Sequence, residues 1–288
     1  LKGSERVRFV LPTFAKLNLS LRVTGRRPDG YHDLLSIFLR IPSGEALRVE
    51  ALPAGAEDRV EVRGMDLRLT GENVVARALR LAREAGADVP PLRVEVLKSL
   101  FPGAGLGGGS GNAAALLQWL ASKDASGPWG EVARRTGADV PFLFSDAPMA
   151  LVGGTGDRLE PLDPPRLSGL IAFPAWEVGT ENAYASLDAA LRGGYPKDEA
   201  SARKEAEGIL SALRENGCLG FLPNDFAPPL MEAHGQYREL FALFEGAGAL
   251  AWGITGSGGA AFALTRGGKL DPEWPGWVRQ VLYLPPLP

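Results

Sequence analysis

The chain is poor in the residues that build many common sites. It has a single cysteine, Cys218, so an internal disulfide is excluded and a reducing compartment, the cytoplasm, is expected. Cys218 has no visible activating partner and reads as structural. With only two histidines, His32 and His234, a zinc site of histidines and cysteines is not expected. No apolar run approaches the ~20 residues of a membrane span, and no signal-peptide pattern opens the sequence. Neither charge sign is in large excess: 31 Lys and Arg face 34 Asp and Glu, for a net charge of −3, which gives no footprint for nucleic acid. Two phosphate-handling motifs are also missing. No Gly-Lys-Ser/Thr occurs, since Gly268-Lys269 runs into Leu270, so a P-loop is excluded; the His-Arg-Asp and Asp-Phe-Gly segments of protein kinases are absent as well.

What the chain has in plenty is glycine, and its densest stretch is Phe101-Pro102-Gly103-Ala104-Gly105-Leu106-Gly107-Gly108-Gly109-Ser110-Gly111-Asn112. Before it, residues 92–97 alternate like a strand; after it, residues 113–120 form an apolar helical run. The order is therefore strand, glycine loop, helix. Glycine lets a backbone adopt φ > 0 and approach a ligand closely, and the free N–H groups at a helix start form an anion site. The loop is expected to cradle the phosphates of a nucleotide. A turn that only joins two elements is the plainer alternative, and the glycine density ending in Ser110-x-Asn112 favours phosphate. A dinucleotide fingerprint, Gly-x-Gly-x-x-Gly, matches at Gly103, Gly105 and Gly108, but the required second strand and acidic residue do not follow; a helix and the turn Lys123-Asp124-Ala125-Ser126-Gly127-Pro128 do.

The run from Gly105 to Ala114 resembles the ATP loop of the GHMP kinases, the family of galactokinase, homoserine kinase and mevalonate kinase. The resemblance implies an α/β (α+β) fold of two domains, which we place at 1–162 and 163–288. The first would carry the phosphate loop, and the second would resemble a ferredoxin-like α/β sandwich. At 288 residues, the chain is long enough for both.

Other stretches extend the resemblance. Residues 7–11 alternate like a strand and residues 13–23 form a second alternating run, with Lys16, Asn18 and Ser20 on one face. On chemistry alone this could be an exposed sheet face. The turn Gly25-Arg26-Arg27-Pro28-Asp29-Gly30 leads to Tyr31-His32-Asp33-Leu34. Together with Ala15-Lys16-x-Asn18-Leu19, the Pro-Asp-Gly-Tyr-His run resembles one GHMP branch. Its members phosphorylate the 2-hydroxyl of a methylerythritol bearing a cytidine diphosphate, in the non-mevalonate route to isoprenoid precursors. Residues 47–50 and 60–62 read as short strands, 72–82 as a helix, 131–136 as a short helix, 149–159 as strand-turn-strand and 170–173 as a buried strand. Helical patterns follow at 181–191, 199–214 and 226–246, with Asn224 or Asp225 expected to cap the last. A second glycine cluster, 252–264, resembles the third GHMP motif, which packs close to the phosphate loop. A strand over 280–284 closes the pattern.

The pentapeptide Gly-Ala-Asp-Val-Pro occurs twice, at 86–90 and 137–141, and chemistry alone does not choose between Asp88 and Asp139. The resemblance selects Asp139, the one after the glycine loop, and leaves Asp88 to a turn. It implies further roles. Asp139 would take the proton of the acceptor hydroxyl, and Lys16 would orient it and stabilise developing negative charge. The backbone of 101–111 would hold ATP, with Ser110 as the candidate phosphate or Mg²⁺ contact. Asn73 and Lys98 match positions near the family's ATP base pocket. Tyr31 and Tyr184 would sandwich the cytosine, His32 would read its edge, Asn18 would lie near the acceptor end, and Thr180 would sit beside the substrate. The expected ligands are ATP, Mg²⁺ and a small molecule with a cytidine diphosphate group, with no nucleic acid, no membrane, and a monomer or homodimer as the working unit.

Three positions depart from the family pattern. Phe14 replaces a proline before Ala-Lys, Pro102 is displaced by one with Phe101 in its place, and Gly111 replaces a second serine. The last leaves Ser110 as the sole hydroxyl candidate. The alternatives are another GHMP kinase of homoserine or mevalonate type, a catalytically silent nucleotide sensor, and a dinucleotide-binding oxidoreductase. The Tyr-His run argues against the first, and Lys16 with Asp139 against the second.

Overall fold

The computed structural model describes residues 8–64, 72–192, 194–215, 217–268 and 270–286. The first half of the chain holds β1 (Arg8–Arg26), β2 (His32–Ala51), β3 (Arg59–Arg63), α1 (Val74–Glu84), β4 (Leu92–Leu97), α2 (Gly108–Ala121), α3 (Trp129–Thr136) and α4 (Val140–Phe144). Then come β5 (Met149–Gly154), β6 (Arg158–Leu162), β7 (Ser168–Pro174), α5 (Thr180–Leu191), α6 (Glu199–Arg214) and β8 (Gly220–Phe221). The last elements are α7 (Ala227–Ala233), α8 (Gln236–Gly246), β9 (Ala251–Ile254), β10 (Ala261–Thr265) and β11 (Val278–Leu284).

Two compact units form, and neither is a single stretch of chain. The first contains the chain up to Lys16, Pro42–Leu100 and Gly107–Asp146; the second contains Leu17–Ile41, Phe101–Leu106 and the chain from Ala147 onward. The cuts fall inside β1, inside β2, at the start of and within the glycine loop, and between α4 and β5.

In the first unit, the second half of β2 pairs antiparallel with β4, in register from Ala46 opposite Leu97 to Ala51 opposite Leu92. Strand β4 also pairs with β3, in parallel. Helices α1 to α4 pack on one another. The apolar positions of α1, Val75, Ala78, Leu79 and Ala82, recur at helical spacing and are buried, while Arg77 and Arg80 lie on the other side. Asn73 caps this helix, its Oδ1 accepting from the Val75 N–H at 2.8 Å. Helix α2 buries Ala113 to Leu117 and Leu120, an almost unbroken small-and-apolar run that suits a helix covered on several sides.

In the second unit, the first half of β2 pairs with β5, and β5 with β6, both antiparallel. A separate sheet runs in the order β11-β7-β10-β9-β8. Leaving aside the short edge strand β8, its order is that of a ferredoxin-like sheet. The second crossover helix of that plan is missing among the described residues: between β10 and β11 the chain is irregular, as Gly267, Gly268, Pro272, Pro275 and Gly276 require. The core on one face of this sheet packs Leu170, Ala172, Phe226, Tyr237, Phe244 and Ala263 out of water.

Several expected boundaries move. The two runs before and after Pro12 are one strand, β1; Val7 lies outside the described residues. The short strand expected at 47–50 is the end of the 20-residue β2. The single helix expected over 226–246 is two, broken at His234-Gly235, where His234 takes an extended φ of −133°. Phe226 is the N-cap of α7, and Asn224 Oδ1 accepts from its N–H at 2.9 Å, a local bond at the helix start like the one expected of Asn224. Through Nδ2 Asn224 also donates to the carbonyls of Ile254 and Gly256, at 2.8 and 2.9 Å. Asp225 accepts from the Val23 N–H at 2.8 Å and pairs with Arg22 at 2.5 Å. Asp225 thus ties β1 to the rest of the second unit, while Asn224 serves the local turn and two distant carbonyls at once.

Candidate active site

The glycine loop opens α2 earlier than the apolar run alone indicates. Gly107 is the N-cap, left-handed at φ 63°, and no side chain caps the helix. The first-turn N–H groups of this 14-residue helix are thus left for an anion. Ser110 lies in that first turn.

Beneath Gly107 lie the two residues expected to work together. Lys16 Nζ is 3.9 Å from Asp139 Oδ2. A Cβ on Gly107 would come within 2.8 Å of that same oxygen and 3.3 Å of Lys16 Cγ, so the absence of a side chain leaves room for the pair. Lys16 is buried; loss of hydration lowers its pKa from 10.5, and the charge of Asp139 acts to raise it. Asp139 precedes α4, whereas Asp88 sits exposed in the turn after α1.

Gly108 is backed by a second ion pair. Lys98 Nζ lies 2.6 Å from Glu45 Oε1 and 2.8 Å from Oε2, and a Cβ on Gly108 would be 3.3 Å from Lys98 Nζ. Glu45 also accepts from the N–H groups of Ser99 and Leu100, at 3.2 and 2.9 Å. Its side chain is 0% exposed. Glu45 escaped sequence reasoning, although it has the inward parity of Ser43, Leu47 and Val49 on β2; a carboxylate at an inward strand position was the available signal. Asn73, besides capping α1, lines an open cavity of about 480 Å³ with Asp58, Val60, Ala76 and Arg80.

The second unit holds the other half of the loop, Phe101–Leu106, against the second glycine cluster. The Gly259 and Ala260 N–H groups donate to the carbonyls of Gly103 and Ala104, at 2.9 and 3.2 Å. Gly105 is left-handed at φ 78°, and a Cβ there would come within 2.0 Å of the Thr255 carbonyl oxygen. Thr255 Oγ1 reaches the Gly105 carbonyl at 3.3 Å and accepts from the Asn18 N–H at 3.1 Å. Asn18 donates through Nδ2 to Ser36 Oγ at 2.8 Å. Phe101 packs on Phe173, with the Arg279 guanidinium 5.6 Å above its ring.

The aromatic residues expected at a base pocket are partly together. His32 stacks on Tyr184, with centroids 4.6 Å apart and planes 28° apart. Tyr31 stands apart at 67% exposure, and Tyr184 faces His32 rather than Tyr31. Thr180 is the exposed first residue of α5. Sequence reasoning missed Asp188, one turn beyond Tyr184 on the same helix face. It accepts from His32 Nε2 at 2.8 Å and from Tyr195 Oη at 3.1 Å.

An open helix start over a buried lysine and a carboxylate suits the handling of phosphate, and comparison with known proteins shows the class to be a small-molecule kinase. Residues 73–154 match the GHMP kinases N terminal domain and residues 199–272 the GHMP kinases C terminal. The 4-diphosphocytidyl-2-C-methyl-D-erythritol kinase of Nitratidesulfovibrio vulgaris (strain DP4) is 36% identical over 274 residues, covering 87% of this chain and 88% of that protein. The protein of the same name from Porphyromonas gingivalis is 34% identical over 261 residues, covering 88% and 90%. A crystal structure of 4-(cytidine 5'-diphospho)-2C-methyl-D-erythritol kinase superimposes with a TM-score of 0.74 at 28% identity, covering 96% of this chain and 98% of that one. A homoserine kinase from Cytophaga hutchinsonii shares the fold, with a TM-score of 0.60 at 17% identity. The chain belongs to the GHMP kinases and, within them, to the 4-diphosphocytidyl-2-C-methyl-D-erythritol kinase family. It is an enzyme of the phosphotransferase class, with ATP as phosphate donor and a small molecule as acceptor. No helix among the described residues is long and apolar enough to cross a membrane.

Proposed function

We propose that this enzyme transfers the γ-phosphate of ATP to the 2-hydroxyl of 4-diphosphocytidyl-2-C-methyl-D-erythritol, in isoprenoid precursor biosynthesis. The observation that carries the reading is the Lys16–Asp139 pair at 3.9 Å, directly under Gly107 at the open helix start. The first-turn amides of α2 hold phosphate oxygens, and Ser110 contributes its hydroxyl. The acceptor oxygen attacks the γ-phosphorus as the bond to the β–γ bridging oxygen breaks, and Asp139 accepts the hydroxyl proton. Lys16 orients Asp139 and offsets the charge that develops on the acceptor. Phosphoryl transfer asks little else of a protein than positioning and charge stabilisation.

Mg²⁺, when bound with ATP, would neutralise charge on the phosphates. Ser110, in the first turn of α2, is the residue that would hold the ion. Lys98, and Asn73 beside its cavity, serve the ATP side. Asn18, Tyr31, His32, Thr180 and Tyr184 serve the cytidyl side, where stacking contributes ~1–3 kcal/mol per base. We place the enzyme in the cytoplasm, as its lone cysteine suits, working as a monomer or homodimer, with the sequence dividing near 162/163.

The test is ADP release with ATP and Mg²⁺, offering the cytidyl substrate against homoserine and mevalonate. Turnover with the cytidyl alcohol alone supports the reading. Turnover with another alcohol removes the base pocket, and none in ATP-binding protein leaves a silent sensor.

A further inference from the structure

Two buried side chains hold the backbone carbonyls of the second glycine cluster. Asn224 takes those of Ile254 and Gly256, and Tyr237 Oη donates to that of Gly259 at 2.9 Å. Tyr237 lies in the first turn of α8, just past the break at His234-Gly235, and is fully buried. All of these residues, with 101–106 of the phosphate loop, belong to the second unit.

The phenol proton has one direction open to it. An indole N–H only donates. Trp176 Nε1 reaches Tyr237 Oη at 3.1 Å, so the oxygen accepts there and turns its own hydrogen to Gly259. Trp176 is fixed in turn: it stacks on His234 at 4.7 Å with planes 8° apart, and Trp277 flanks it at 5.4 Å.

The Gly259 carbonyl and the Ala260 N–H belong to one planar peptide unit, and in a trans peptide they point opposite ways. Tyr237 thus holds one end of a plate whose other end donates to the Ala104 carbonyl at 3.2 Å. Beside it, the Gly259 N–H donates to the Gly103 carbonyl at 2.9 Å. Gly258 and Gly259 have no side chains to restrict them, and glycine backbone is the freest to turn. The fit is also close: a Cβ on Gly258 would come within 2.4 Å of both the Gly103 carbonyl oxygen and the Gly105 nitrogen.

We propose that Tyr237, oriented by Trp176, is a positioning residue for ATP. It sets the tilt of the 259–260 peptide, hence the carbonyls of Gly103 and Ala104, and hence the course of the loop that runs on to the N-cap Gly107. This rests on the proposed function for the loop holding ATP; the restraint on the peptide does not.

The test has two arms, both with Tyr237→Phe, which keeps the ring and removes the hydroxyl. The first needs no ligand. Amide hydrogen exchange should lose about tenfold more protection at Gly259 and Ala260 than across β10. An equal change at all of them would mean lost global stability only and overturns the proposal. The second arm is calorimetry. The Kd for ATP should rise about three- to tenfold, the worth of one hydrogen bond, with the Kd for the cytidyl alcohol unmoved. Phe244→Leu, a truncation in the same core, should lower the melting temperature and leave the ATP Kd alone. An unchanged ATP Kd in Tyr237→Phe, an equal loss for both ligands, or an equal rise in Phe244→Leu overturns the proposal while sparing the kinase reading. Wild type that binds no ATP sinks both.

Discussion

Glu45 and Lys98 form a buried ion pair at 2.6 Å whose cation lies against Gly108, the first residue of α2. The carboxylate is fully covered, and it also terminates the N–H groups of Ser99 and Leu100. One side chain thus settles a cation and two backbone donors behind the phosphate loop.

Truncating it should be severe. Removing one partner of a buried pair leaves the other charge uncompensated, at a cost of about 3–5 kcal/mol. Glu45→Ala should lose that much in urea unfolding. Glu45→Gln keeps an oxygen for the two amides and should lose less, while raising the KM for ATP. Equal stability of Glu45→Ala and wild type would refute the account.

For the Lys16–Asp139 pair, Asp139→Asn should lower kcat by about 10²–10⁴ with KM little changed. It should also lower the Lys16 pKa further, because the charge of Asp139 is what opposes the burial penalty. A side-chain NMR titration of Lys16 reads this directly, and an upward movement would contradict it.

Lys16 also leaves a signature in stability. Its folded pKa lies below the unfolded 10.5, so between the two values the unfolded chain binds more protons and stability rises with pH. Lys16→Met should flatten that rise in the alkaline range. Urea midpoints measured across it would show no difference if the lysine were not held in a water-poor site.

Tyr237 has the opposite sign. It is fully buried, accepts from Trp176 Nε1 at 3.1 Å and donates to the Gly259 carbonyl at 2.9 Å. Burial pushes its pKa up to about 12, with the Trp176 bond acting slightly against that. Its contribution is whole below pH 10 and is lost as pH rises toward 12. Tyr237→Phe should cost about 1 kcal/mol at neutral pH and lose less than wild type above pH 10, as thermal melts at both ends would register.

Two departures from the family pattern turn out to touch. A Cβ on Gly111 would lie 1.7 Å from the Phe14 carbonyl oxygen. Gly111→Ser, which restores the family hydroxyl, should therefore destabilise the protein by at least the ~1–3 kcal/mol of an overpacked core. A melting temperature equal to wild type would show that β1 yields there.

Local chemistry made much of this enzyme legible. Strand, glycine loop and helix around 92–120, the helices at 180–191 and 199–214, and the amphipathic α1 follow from periodicity and from glycine's freedom at φ > 0. The loop was also readable from its residue types, whereas Lys16 and Asp139 were picked out by the family resemblance: chemistry alone left Lys16 to a sheet face and did not choose Asp139 over Asp88. Boundaries set by distant partners were not legible. Asn224 and Asp225 read as caps because capping is a local habit; Asn224 does accept from the Phe226 N–H, but Ile254 and Gly256 also take its amide, and Arg22 and Val23 claim Asp225. The break at His234-Gly235 interrupts a continuous apolar pattern. Glu45 and Asp188 acquire meaning only from Lys98, 53 residues on, and from His32, 156 residues back. Sequence alone determined the kind of chemistry, since a side chain carries its functional group wherever it goes. Which groups meet, and so which proton or cation each one holds, is set by long-range pairing and burial, and only the tertiary structure decides that.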